Sequence, residues 1–189
     1  YQLDSSKTTT WLLVARLENQ VGTPESALAL MQRMSAQDPF NYTAFFEMGR
    51  SFQRMGRVDD ANQMYVRSDE VRKMMQPIEL LETGVRDHPQ DFSQRVKLAD
   101  ANRTIGRWNE ALRQYQSAVS MRPGNAALLS NVALMMVQLG QRDRAENVFL
   151  DILNRDSNHF STLINLTVFH LEAGNLEEAT PYFNRAKGL

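Results

Sequence analysis

Val132-Ala-Leu-Met-Met-Val-Gln-Leu-Gly140-Gln-Arg-Asp-Arg-Ala145-Glu-Asn-Val-Phe149 holds a pattern that organises the whole chain. A large apolar residue stands eight positions before Gly140, an alanine five after it, and an aromatic residue four beyond the alanine. The same frame recurs at Val14-Gly22-Ala27-Met31, Met48-Gly56-Ala61-Tyr65, Leu98-Gly106-Ala111-Tyr115 and Leu166-Gly174-Ala179-Phe183. Successive glycines are 34, 50, 34 and 34 residues apart, and 50 is 34 plus 16. Self-similarity at such a period is the mark of a repeat architecture. The chain reads as five copies of one unit with a helix-length insertion after the second.

The units are 8–41, 42–75, 92–125, 126–159 and a shortened 160–189, each two amphipathic helices divided by a glycine turn. In the first helix of a unit, positions 4, 7, 8 and 11 share one side at 100° per residue, as in Phe45, Met48, Gly49 and Phe52. Position 8 is small in every copy (Ala15, Gly49, Ala99, Ala133, Thr167), which lets the paired helix come close. The turn glycine can take the positive φ of a helix C-terminus. The second helices open with Asp59-Asp60, Glu110, Asp143 and Glu177-Glu178, acids that suit the positive end of a helix dipole. Pro39, Pro89 and Pro123 stand where second helices should stop.

These slots resemble the tetratricopeptide repeat family, whose W-x2-L-G-x2-Y, A-x3-F and P pattern follows the same order. The second unit carries Phe45, Met48, Gly49, Phe52, Ala61 and Tyr65, and the third carries Leu98, Ala99, Ala111, Tyr115, Ala118 and Pro123. The resemblance covers nearly all of 8–189. It implies an all-α, right-handed superhelix, an α-solenoid of antiparallel helix pairs with about five units and one extra helix in the middle. The organisation expected is a lead-in over 1–7, two units over 8–75, an unpaired or kinked helix over 76–91, and three units over 92–189. Departures are Arg95 in a large apolar slot, Glu18, Asn102 and His170 in the tyrosine slot, and Lys73 and Ser157 in place of the closing proline.

The insertion at 76–91 admits two readings. Ala61, Met64, Ser68, Val71, Met75, Ile78, Leu81 and Val85 form a nearly continuous helical stripe, consistent with one long helix kinked at Pro77. A residue before proline avoids helical geometry, which favours a separate helix beginning at Pro77. The expectation is separation.

With 21 Lys+Arg against 22 Asp+Glu the chain lacks the basic excess of a nucleic-acid binder. Its longest apolar run, Val132 to Val137, is far short of the about 20 residues of a membrane span. No cysteine is present, so disulfides, thiolate metal sites and cysteine nucleophiles are excluded. His88, His159 and His170 share no ligand spacing, no phosphate loop or nucleophile elbow appears, and the acid pairs sit at helix starts. No cofactor and no catalytic residue is assigned. The chain begins at Tyr1 and reads as an excerpt whose compartment is unknown.

The resemblance implies that positions 2, 6, 9 and 13 of each first helix line a concave groove that holds peptides. In the first two units these include Arg16, Glu47, Arg50 and Arg54; guanidinium groups repeated at 34 residues could grip a carboxylate. Position 6 is Lys97, Asn131 and Asn165 in the last three units. An amide both donates and accepts, matching a peptide backbone, and paired asparagines are similar to the asparagine ladders of superhelical members of the family. Around them Leu134, Val137, Ile164, Val168 and Leu171 make an unusually apolar face. The carboxylate clamp of chaperone-binding members is not matched, since Val96, Asp100, Asn131, Ser161 and Asn165 fill its places. The function expected is a non-enzymatic scaffold or adapter that binds a protein or peptide partner. The alternative is an intramolecular scaffold or homodimerisation domain of a larger protein, with any fused catalytic domain lying outside this excerpt.

Overall fold

The computed structural model describes residues 5–189, and among them every regular element is a helix. There are ten: α1 Ser5–Gln20, α2 Pro24–Gln37, α3 Tyr42–Arg54, α4 Val58–Asp87, α5 Phe92–Thr104, α6 Trp108–Met121, α7 Ala126–Gln138, α8 Arg142–Arg155, α9 Phe160–Glu172 and α10 Leu176–Lys187. Of the lead-in expected over 1–7, residues 1–4 lie outside the described residues, and the helix already runs from Ser5. The fold is an all-α helical repeat of packed pairs.

Each hairpin turn has a chemical cause. Gly56, Gly106, Gly140 and Gly174 all have φ between +73° and +82°, a region costly for any residue with a Cβ. The positive φ lets the next amide reach back five residues: Arg57 to the Phe52 carbonyl, Arg107 to Asn102, Gln141 to Met136 and Asn175 to His170, at 2.8–2.9 Å. Gly22 departs from this expectation, for it has no positive φ. There the Thr23 amide donates instead to Oε2 of Glu18 at 2.9 Å, so a side chain closes the turn. Between units the stop is proline, two residues past the ends of α2, α4 and α6. The start is an N-cap: Oδ1 of Asn41, Asp91 and Asn125 accepts from the amide three residues on, at 3.0–3.1 Å. Backbone donors from Gln94, foremost, hold the Asp91 carboxyl below the usual carboxylate range.

α4 corrects the sequence reading. It is one helix of 30 residues with Pro77 inside it, rather than a helix followed by an extra one. Pro77 faces solvent, while Ala61, Ser68, Val71, Met75 and Ile78 are buried along the opposite stripe. Burial of that stripe outweighs the one backbone bond that proline removes. The 16-residue insertion therefore lengthens α4.

The chain divides into two compact units, one ending at Pro77 and the other spanning Ile78–Leu189. In the first, Ala15, Ala27, Met31, Met34, Ala44 and Met48 form the core. In the second, the core runs through Ala99, Ala111, Tyr115, Val132, Ala133, Phe149, Leu163 and Leu166. Fully burying a side chain such as Phe149 contributes about 1.5–3 kcal/mol. Two of the repeating apolar slots stand open, Val14 in the first repeat and Phe183 in the last. Val14 is 39% exposed and Phe183 50%, whereas their equivalents Leu98, Leu166, Tyr115 and Phe149 are at most 2% exposed.

Candidate functional site

In the first unit, α1 and α3 meet through a buried carboxylate. Glu47, expected on an open groove, is 1% exposed. Its Oε1 receives Nε of Arg16 at 3.0 Å, and its Oε2 receives Arg50 at 3.3 Å and Nδ2 of Asn19 at 3.3 Å. Asn19 also donates to the Glu47 carbonyl at 3.1 Å and accepts from the Ser51 hydroxyl at 2.9 Å. A carboxylate can be carried inside only with this many donors. Arg16 and Arg50 stay partly exposed, so one buried negative charge is shared between two surface cations. Arg54 is committed elsewhere: its guanidinium donates to the carbonyls of Glu18, at 2.8 Å, and Gly22, at 3.4 Å, ending α1. The arginines foreseen as a ligand patch are thus anchored to the protein, with Glu47 beneath Arg16 and Arg50.

Sequence reasoning missed Asn19 and Ser51. Asn19 is the one asparagine at its repeat position, whose other occupants are Gln53, Arg103, Val137 and Leu171. Nothing in the period could have singled it out.

In the second unit, Lys97 lies exposed on α5. Asp100 and Arg103 of the same helix turn toward α6, where the Tyr115 hydroxyl donates to Oδ1 of Asp100 at 2.5 Å and accepts from Arg103 at 3.2 Å. Burial, and after it the bond to Asp100, pushes the Tyr115 phenol up to about 12. This group braces a hairpin.

α7 and α9 are tied where the hydroxyls of Ser130 and Thr162 meet at 3.4 Å, both buried, with Nδ1 of His159 2.9 Å from Thr162. Asn131 and Leu134 lie one turn apart on α7, Asn165 and Val168 likewise on α9, and Leu171 one turn further. Both asparagines are half-buried, and among the described residues neither amide is engaged by another side chain. Leu134 is 36% exposed, Val168 46% and Leu171 48%, while the opposite faces of both helices, with Val132, Leu163 and Leu166, are core. Each helix therefore presents a free amide beside uncovered aliphatic surface. That combination can take hydrogen bonds and apolar side chains from one bound segment; among the described residues no cluster of three or more His, Asp or Glu could hold a metal. No helix there is long and apolar enough to cross a membrane.

The chain is similar to three kinds of known protein. The profile of the coatomer epsilon subunit family matches residues 91–186, just over half of the chain. Human protein O-mannosyl-transferase TMTC3 is 26% identical over 184 residues, covering 93% of this chain but 20% of that relative's length. Solved structures of MamA share the fold: a crystal structure of MamA at 18% identity has a TM-score of 0.53 and covers 93% of both chains. The MamA RS-1 ArsTM double mutant, at 13% identity, has a TM-score of 0.55 and covers 100% of this chain and 96% of its own.

Proposed function

The chain belongs to the coatomer epsilon subunit family, and on that premise we propose that it is a non-catalytic protein-interaction scaffold whose α7–α9 face holds a partner peptide. The observation that carries this is the pair Asn131 and Asn165 with their amides free beside Leu134, Val168 and Leu171. Solvated faces of globular proteins rarely group exposed aliphatic side chains around unengaged amides. An extended segment satisfies both features, since its backbone offers donors and acceptors while alternate side chains cover the aliphatic surface. The net charge near zero suits a protein partner better than a nucleic acid. Arg16 and Arg50 make a subsidiary contact for an acidic side chain, weakened by Glu47 beneath them.

A photo-reactive residue at Val168, exposed and outside the core, tests the placement. Crosslinking to a peptide selected from a displayed library supports it; crosslinking only from a control position on α6 overturns it.

A second reading rests on a different observation. Val14 and Phe183 occupy slots that are buried at Leu98, Tyr115 and Phe149, so another helix of the same kind would cover them. An intramolecular scaffold within a longer protein, as the 20% coverage of the transferase TMTC3 allows, or a homodimer would supply that helix. Light scattering across a concentration series, with Phe183→Glu as the comparison, separates the two: a mass that rises with concentration and is abolished by the substitution identifies self-association.

A further inference from the structure

The first compact unit carries an apolar and cationic surface of its own, separate from the α7–α9 face. On α1, Leu13 and Leu17 stand one turn apart, both more than half exposed, and Arg16 lies one turn beyond Leu13. On α3, Phe46 is 46% exposed and lies one turn before Arg50. Its ring meets that of Tyr65 on α4 with centroids 5.5 Å apart and planes inclined at 50°. The Tyr65 hydroxyl donates to Oε1 of Gln53 at 2.9 Å, which holds the phenol beside Phe46. Burial raises the Tyr65 phenol above its ordinary value, and the charges of Arg50 and Glu47 both reach it, so the aromatic pair borders the ion cluster. Position 5 of a first helix, where Phe46 stands, is closed in α7: its occupant there, Ser130, is buried 3.4 Å from Thr162.

The contacts of Glu47 set the order and the charge of this surface. Arg16 reaches Glu47 from α1 at 3.0 Å and Arg50 reaches it along α3 at 3.3 Å, so both guanidinium groups stand between the leucines of α1 and the aromatic pair of α3 and α4. Two cations share one buried anion, whose oxygens already accept from Arg16, Arg50 and Asn19. The outer edges of the guanidinium groups therefore carry a surplus positive charge with exposed apolar side chains on either flank.

We propose that the α1–α3 face docks an extended segment of a partner protein in which an acidic side chain is flanked by apolar ones. The carboxylate takes the remaining N–H groups of Arg16 and Arg50, while its neighbours cover Leu13 and Leu17 on one side and Phe46 on the other. In an extended chain the side chains at i, i+2 and i+4 share one side and span about 14 Å, enough to cross two helices whose axes lie about 8–10 Å apart. The matching pattern is apolar, any residue, acid, any residue, apolar.

Fluorescence anisotropy of the intact chain with the labelled peptide Gly-Leu-Ser-Glu-Ser-Leu-Gly tests this. It should bind about fivefold more tightly than the same peptide with glutamine in place of glutamate, an advantage that shrinks at high salt. Phe46→Ala alters a ring that belongs to neither core and should weaken the glutamate peptide about fivefold at unchanged helicity. Leu134→Ser/Val168→Ser, on the α7–α9 face, should leave its affinity unchanged, so failure here and failure of the reading for that face are distinguishable. Equal affinity for the two peptides, no saturable binding up to about 1 mM, or a loss that follows Leu134→Ser/Val168→Ser instead of Phe46→Ala overturns the proposal.

Discussion

The ring of Tyr65 lies directly on Gly49: a methyl group at that glycine would fall 2.6 Å from Cε1 and 2.7 Å from Cδ1. α3 and α4 come this close because position 8 of the unit has no side chain. Gly49→Ala should lower stability by about 1–3 kcal/mol, seen as a reduced urea midpoint, although alanine already occupies the same slot at Ala99 and Ala133. Gly56→Ala meets nothing within 4 Å and should cost about 1 kcal/mol, through its φ of +74° alone.

Glu47 is expected to be structural. Glu47→Ala should destabilise by about 2–3 kcal/mol, less than the ~3–5 for a wholly buried pair because the freed arginines can hydrate. Asn19 would lose its 3.3 Å bond to Oε2 while keeping the Glu47 carbonyl and Ser51, and this loosening should be visible as faster exchange at the α1–α3 contact. A loss of peptide binding at unchanged stability would instead make Glu47 a ligand group.

Alkaline titration should find Tyr115. Its phenol is held up to about 12 in the folded chain, whereas an unfolded tyrosine ionises near 10. The unfolded state sheds its proton first, so this contribution is complete below about pH 10 and declines as pH rises toward 12. Tyr115→Phe should flatten the fall in stability over that interval, measured by thermal denaturation at stepped pH.

Pro77 interrupts one backbone bond in α4 while facing solvent. Pro77→Ala should therefore raise stability by about 1–3 kcal/mol and increase helical circular dichroism slightly. A decrease would show that the proline is packed or required for the helix path.

Most of the helix layout was legible in the glycine period, because turn glycines, position-8 small residues and stop prolines act locally and recur. The Pro77 break was misjudged because a local preference against helix was weighed without the tertiary burial of Val71, Met75 and Ile78 on one side of it. Period alone also could not reveal Glu47 as buried, since its partners Asn19, Arg16 and Ser51 come from two helices and Asn19 does not recur. The carboxylates beside buried His170 were hidden for the same reason: Glu146 on α8, 3.4 Å from Nε2, and Glu178 on α10, 3.0 Å from Nδ1, become its neighbours only when three helices pack. The period singles out Asn131 and Asn165 because equal repeat positions share a face, and both are half-buried on α7 and α9.

The central claim is that the α7–α9 face binds a peptide, and titration of a library-selected peptide against the parent chain and an Asn131→Arg/Asn165→Arg variant tests it most directly. Both substitutions leave the buried slots untouched, so helicity should be unchanged by circular dichroism. The account predicts at least about a tenfold loss of affinity, about 1.4 kcal/mol, in the variant. Equal affinity for a correctly folded variant would contradict it.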